Sequence, residues 1–192
     1  EKDDRFVFDP RVFEAEHALE VELPFIQEVL PDAAIVPVIM GQADPDLCQR
    51  LALSLHELIG TREDVLIVIS SDMSHFHSAA QARQMDEEAV ALIEQLDVET
   101  FWNACASRRL EMCGFIPVTT ALFLARHRGL VPRHLIYGHS GETTGDMKSV
   151  VGYTSFIFYR EDMPSGGKKE QAAAQKDHPD EALTLEQKKR LI

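Results

Sequence analysis

The sequence predicts an α/β fold in which a mostly parallel or mixed central sheet lies between helices. The first observation is a run of five aliphatic residues at 65–69, with Gly60 upstream and serines downstream, which is typical of a strand buried on both faces. The second is an apolar strand at 34–40, a helix at 45–59 and the strand at 65–69, joined by short links. This order predicts a right-handed parallel crossover, so residues 70–77 should emerge at the carboxyl edge of the sheet, where α/β proteins bind ligands.

The remaining elements follow from hydrophobic periodicity and turn residues. Residues 14–30 have a helical pattern, in which Pro24 predicts a kink or a break near Leu23. The Gly-rich residues 138–146 are predicted to form a turn. The other predicted elements are a short strand at 6–8, helices at 85–96, 98–107 and 118–126, and strands at 135–137 and 150–159.

The composition divides the chain into a domain and an extension. Residues 1–161 are predicted to form the α/β domain, and residues 162–182, rich in polar residues, a solvated linker. A capping box at 184–187 predicts that a helix starts within residues 183–192, as the beginning of a second domain. Because the chain begins with Glu1 and not with Met, we expect it to belong to a longer gene product.

Charge and cysteine content narrow the class of protein. Among 192 residues, 32 are acidic and 19 are Lys or Arg, and the net charge of −13 argues against binding to nucleic acid or to an anionic membrane. No apolar run approaches the roughly 20 residues that cross a bilayer, and no basic-then-apolar leader opens the chain. Three cysteines without paired spacing favour a reducing, cytoplasmic compartment.

The polar residues that follow the predicted 65–69 strand are the first candidates for chemistry. Asp72 and His75 are three residues apart, so a tight turn can bring them together, and a carboxylate beside a histidine fixes its tautomer and raises its basicity. The pair therefore has the composition of a general base with its orienting group. The alternative is that Ser70, Ser71 and Asp72 cap the next helix, but capping leaves His75 and His77 unexplained.

Cys113 is the second candidate, and His17 is a weaker one. Cys113 and Gly114 precede a predicted helix, whose dipole and free backbone donors stabilise a thiolate that acts as a nucleophile or a metal ligand. The alternative is a buried small residue, and the residues alone leave both interpretations open. His17 lies between Glu16 and Glu20, where a surface histidine in a local charge pair is the default.

Four motifs occur in a fixed order along the chain. They are EHALEVELPF at 16–25, SSDMSHF at 70–76, Cys-Gly with a following proline at 113–117, and Ser-Gly, Gly-Asp and VVGY within 140–153. Together they resemble the Memo family, also called AmmeMemoRadiSam system protein B. That family is similar to class III extradiol dioxygenases of the LigB type, which are non-haem iron enzymes. The resemblance implies a LigB-like three-layer sandwich, incomplete at the N-terminus, of which residues 1–161 are the C-terminal two thirds.

The resemblance also implies roles for single residues. Cys113 is a metal ligand, His75 is the catalytic base and Asp72 is its neighbour. The cleft-lining residues are His17, Glu20, Ser71 and Gly114. The family's other two ligands are histidines in Pro-His-Ala-Gly and Gly-Pro-x-His motifs, which this sequence lacks. Because such sites normally need three protein ligands, we expect this chain by itself to bind iron or copper only weakly, so that it retains none.

The function that the resemblance implies is metal-linked redox chemistry with iron or copper. A thiolate in place of the dioxygenases' carboxylate argues against ring cleavage and favours copper-like redox chemistry on an unknown substrate. The alternative is a non-catalytic protein that uses the same cleft to bind a peptide or a metal. The partners implied by the family are an AMMECR-type domain, fused or interacting, and a radical SAM protein. A helix start near Leu185 resembles the opening of that domain.

Overall fold

The computed structural model describes residues 5–14 and 16–161, and its helices and strands lie within the unit of residues 1–160. This part of the chain combines helices with a three-stranded sheet, which confirms the predicted α/β class. The predicted linker at 162–182 and the predicted helix start at 183–192 lie outside the described residues.

Proline and capping residues set the bounds of the first two helices. Of the predicted helical stretch 14–30, only the part after the predicted break forms an α-helix, α1, Leu23–Val29, whereas residues 16–22 are turn and irregular structure. Pro24 lies in the first turn of α1, where its missing N–H removes no helical hydrogen bond. Helix α2, Pro45–Ile59, has the predicted bounds. The Asp44 carboxylate caps its start, and Gly60 ends it with a φ of 52° that a residue without Cβ adopts readily.

Three predicted strands are absent from the described part of the chain. Residues 6–8, 34–40 and 65–69 form neither helix nor strand, and Val36 and Leu66 are 85% and 71% exposed. These predictions, and the parallel crossover built on them, are wrong. A strand buried on both faces needs neighbouring strands for its N–H and C=O groups, and no described strand pairs with these segments.

The sheet is antiparallel and small. Its strands are β1, His75–His77, β2, Val131–His139, and β3, Val150–Tyr159, in the spatial order β1-β3-β2. It is therefore not the mostly parallel or mixed sheet that the sequence predicts. The connection between β2 and β3 contains the short helix Gly141–Thr144 in place of a simple turn. Because this connection is short, β3 runs antiparallel to β2. The LigB-like sandwich stays a prediction.

Three helices supply most of the core. They are α3, Ala79–Glu94, α4, Val98–Ala106, and α5, Phe115–Arg128, and the short helix at 141–144 is α6. Helix α3 begins before its predicted start because Ser78 and Gln81 form a capping box. None of the described helices has the length and apolarity needed to cross a bilayer. The largest fully buried apolar side chains are Phe101, Met73, Leu110, Leu122, Val98 and Val150.

Helix α3 also contributes a buried carboxylate, Asp86, which is 1% exposed. Its Oδ1 accepts the Ser74 N–H at 3.0 Å, and its Oδ2 accepts the Tyr137 O–H at 2.8 Å. Burial and the contact with this carboxylate raise the pKa of the Tyr137 phenol, so the phenol stays a donor. Strand β3 approaches at Gly152, where any Cβ would collide with Asp86 and contact Met73. Asp86 therefore lies against the residue just before β1, against β2 through Tyr137, and against β3 at Gly152.

Replacement of Asp86 by Ala should strongly destabilise the fold. It leaves the buried Ser74 N–H and the partly buried Tyr137 O–H without an acceptor, and we expect a loss of about 2–4 kcal/mol in the free energy of unfolding. The matched control is Glu87→Ala, since Glu87 is exposed and forms an ion pair with Arg83 on the helix surface. Urea unfolding followed by circular dichroism measures both. Equal midpoints for the two variants would contradict the role of Asp86.

Candidate active site around Asp72 and Cys113

Two loops meet at the candidate site: the residues just before β1 and residues 110–114 just before α5. The Gly114 N–H donates to Ser71 Oγ at 2.8 Å, and the Cys113 N–H donates to the Asp72 carbonyl at 3.3 Å. In return, the Asp72 N–H donates to Cys113 Sγ at 3.1 Å. The structure thus brings four of the predicted site residues, separated by about 40 positions in sequence, into direct contact.

Gly114 permits this close approach because it has no side chain. A Cβ at position 114 would lie 2.7 Å from Ser71 Cβ and 2.8 Å from the Ser70 carbonyl oxygen. Real Cβ atoms do not approach other atoms so closely, so any larger residue must push the two loops apart. Gly114 therefore sets the distance between Cys113 and Asp72.

Gly114→Ala should weaken both the fold and the contact between the loops. Overpacking of this kind costs about 1–3 kcal/mol of stability, and it should expose Cys113 to faster alkylation by iodoacetamide. Gly41→Ala is the matched control, because nothing lies within 4 Å of a Cβ at that position. Thermal unfolding and mass spectrometry of the alkylated chain provide the two measurements. If both variants behave alike, close packing at Gly114 is not what holds the loops together.

Cys113 is the accessible thiol of the described chain. Its side chain is exposed, whereas Cys48 and Cys105 are buried, so the interpretation of Cys113 as a buried small residue is wrong. Burial raises the pKa of Cys105 to about 11, more than the nearby Arg109 lowers it, and burial also raises the pKa of Cys48. Cys113 Sγ instead faces the Asp72 N–H and a hydroxyl 3.7 Å away. Exposed sulfur with hydrogen-bond donors suits a nucleophile or a metal ligand.

Asp72 and His75 form the pair that their spacing predicts. Asp72 Oδ2 lies 3.5 Å from His75 Nε2, and both side chains are partly exposed. The alternative, in which Asp72 caps the following helix, is wrong because Ser78 and Gln81 cap α3. The distance is long for a strong hydrogen bond but suits a carboxylate that orients an imidazole. Asp72 is therefore free to act on His75 rather than on a helix end.

A second carboxylate and imidazole pair lies beside the first, and the sequence reasoning did not find it. Glu111 Oε2 is 3.0 Å from His77 Nε2 and accepts the His75 N–H at 3.4 Å. Burial raises the pKa of the Glu111 carboxyl, but the hydrogen bonds from His77 and His75 outweigh burial and leave the pKa below its ordinary value. The available signal in the sequence was an acidic residue, Glu111, between the apolar Leu110 and Met112, both of which are buried.

Phe76, between the two histidines, has a strained backbone. Its φ is 62°, in the left-handed region that bulky residues avoid, and its side chain is 77% exposed. The register of β1 against β3 is irregular between His75 and His77, so Phe76 lies in a bulge. Its ring meets the His75 ring edge-on, with 5.8 Å between the centroids. The bulge directs both imidazoles toward their carboxylates.

Phe76→Gly should stabilise the fold relative to Phe76→Ala. Both variants remove an exposed ring, but only glycine removes the Cβ that makes a positive φ costly, which is worth about 1–2 kcal/mol. Chemical unfolding of the two variants measures the difference. A Gly variant no more stable than the Ala variant would show that position 76 carries no such strain in solution.

His17 and Glu20 are not brought into this group of contacts. Both are exposed, and within residues 5–14 and 16–161 neither is linked by a hydrogen bond or ion pair to the site built on Asp72. The Glu16 carboxylate accepts the main-chain N–H of His17. Glu16 is therefore the expected neighbour, but it pairs with the backbone of His17 and not with the imidazole ring. Their place in the cleft stays a prediction.

The described residues do not complete a metal site. Within the described ranges, no group of three or more His, Cys, Asp or Glu side chains could hold a metal ion. Cys113 is a suitable soft ligand, but tetrahedral and facial-triad sites need about three protein ligands. The described residues therefore supply one ligand of a metal site and not a complete set of ligands.

Comparison with known proteins identifies the family. The model of the family described as Memo-like protein matches residues 2–157. This chain belongs to the Memo family. The match includes every element described above up to the last residues of β3.

Several curated relatives of this Memo-family chain are known. MEMO1 family proteins from Caldivirga maquilingensis, Sulfolobus acidocaldarius and Aquifex aeolicus are 34%, 32% and 35% identical to it. The alignments cover 79%, 78% and 74% of this chain, but only 55%, 54% and 54% of the relatives. The chain thus spans about half the length of these curated relatives.

Proposed function

We propose that this chain is part of a metal-dependent redox protein, to which it supplies a thiolate ligand, Cys113, and an acid–base group, His75. The observation that supports the proposal is the double contact of Asp72. Its main-chain N–H meets Cys113 Sγ at 3.1 Å, and its carboxylate meets His75 Nε2 at 3.5 Å. One residue therefore links the candidate ligand to the candidate base, as groups that orient a metal centre commonly do.

The metal in this proposal is iron or copper, and its other ligands come from outside the described residues. The Memo resemblance supplies that expectation, with histidines in two motifs that this sequence lacks. A thiolate ligand favours copper-like chemistry over ring cleavage. Among the described residues, Cys113 supplies one coordination position of such a site.

The chain's own chemistry in this proposal is proton transfer. The His75 imidazole is partly exposed, so it can take a proton from a bound substrate or return one. Asp72 orients the ring and stabilises the imidazolium that forms. Ser71 and Gly114 hold the two loops together behind these groups.

The proposal places the protein in the cytoplasm. Three free thiols suit a reducing compartment, and the net charge of −13 argues for ligands other than nucleic acid. An AMMECR-type domain and a radical SAM protein are the partners that we propose from the family resemblance.

Metal titration tests the ligand assignment. Anaerobic titration of the 192-residue chain with Cu(I) and with Fe(II) should show weak binding, which Cys113→Ser weakens by about tenfold or more and His75→Ala weakens less. Cys105→Ala is the matched control, because it removes a buried thiol on α4. Equal affinities for the Cys113→Ser variant and the parent would refute the assignment.

The enzymatic part of the proposal needs a separate measurement. Oxygen uptake with catechol-type substrates in the presence of the metal should depend on His75 if the chain takes part in catalysis. Metal binding that depends on Cys113, without any turnover that depends on His75, would favour the alternative of a protein that recognises a metal or a peptide.

A further inference from the structure

A single carboxylate oxygen holds two groups of strand β1. Glu111 Oε2 lies 3.0 Å from the His77 ring nitrogen and 3.4 Å from the His75 main-chain nitrogen. The first contact is with a side chain, but the second is with the backbone of the candidate base itself. Glu111 therefore constrains where the His75 residue lies and not only how its ring is paired.

The base of the Glu111 side chain is well anchored. Its neighbours Leu110 and Met112 are buried in the core, so the intervening main chain has little freedom to move. Cys113, two residues further on, contacts Asp72 from the same loop. One loop thus contacts the segment that leads through β1 at two points, once through Cys113 and once through Glu111.

The strand that receives the carboxylate needs such support. Strand β1 is three residues long, its register against β3 is irregular, and Phe76 at its centre has a strained φ. A short strand with a bulge holds its residues less firmly than a regular ladder does. The hydrogen bond that the His75 N–H donates to the Glu111 carboxylate is therefore well placed to fix the histidine.

We propose that Glu111 and His77 are positioning residues for His75: the His77 ring holds the Glu111 carboxylate, which fixes the His75 backbone relative to Cys113. The proposal rests on the proposed role of His75 in proton transfer. The effect of Glu111 on the position of the His75 backbone can be tested separately from that role, because it can be measured without any substrate.

An ordinary surface ion pair is the competing explanation. Glu111 and His77 are both about one third exposed, and exposed pairs of this kind contribute little to global stability. The two explanations differ in where the effect of a substitution appears. A surface pair leaves His75 unchanged, whereas a positioning pair alters the His75 amide and ring while the rest of the fold stays intact.

Amide hydrogen exchange and histidine NMR spectra of the 192-residue chain test the proposal. Glu111→Gln should accelerate exchange of the His75 amide by about tenfold, since it replaces a charge-assisted acceptor, and should shift the His75 ring signals. Glu142→Gln is the matched control, because it makes the same change at a carboxylate that lies 3.9 Å from the ring of another histidine, His139. It should leave both signals unchanged.

Substitutions at His77 provide the second arm. His77→Gln keeps a donor near the position of Nε2 and should preserve the slow exchange at His75, whereas His77→Phe should accelerate it. This arm also decides the question if the Glu111→Gln variant does not fold. Wild-type exchange and ring signals at His75 in Glu111→Gln and His77→Phe would overturn the proposal. So would equal acceleration at His75 and at the core amides, which would indicate general destabilisation. Neither result depends on whether His75 transfers protons.

Discussion

The buried Asp86 carboxylate is the interaction on which the arrangement of helix and sheet depends. An ionisable group inside a core is costly unless its oxygens are hydrogen-bonded, and here each oxygen accepts a donor from a different part of the sheet region. The absence of a side chain at Gly152 lets β3 come close to the same carboxylate. Because Ser74 is one of the two donors, the segment that carries Asp72 and His75 is held at its base by this contact.

The candidate site combines exposed chemical groups with buried supports. Cys113 is exposed and His75 partly so, which leaves them accessible to a ligand. Behind them, Gly114 packs against Ser71 at a distance that no Cβ could enter. Rigid support behind reactive groups is the arrangement that catalytic and binding sites require, since small displacements of such groups weaken their function.

Local signals in the sequence predicted the helices better than the strands. Asp44 and Gly60 mark the two ends of α2 correctly, because a cap and a terminating glycine act through hydrogen bonds only a few residues apart. The sequence did not predict that Asp86 is a core residue. It lies on the buried face of α3 with Ala82 and Ala89, but a charged residue on such a face looks like a break in the apolar pattern. Its partners come from other elements, which periodicity does not reveal.

The sequence by itself determined the residue chemistry: an apolar run at 65–69, a carboxylate three residues before His75, and a thiol beside Gly114. Only the tertiary structure decided which of these became sheet and which became site. Residues 65–69 are apolar enough for a central strand, but a strand exists only where another strand supplies its hydrogen bonds, and the described chain offers none there. The contact between Asp72 and the thiol joins residues 41 apart. Such contacts depend on how whole elements pack, and no local pattern encodes them.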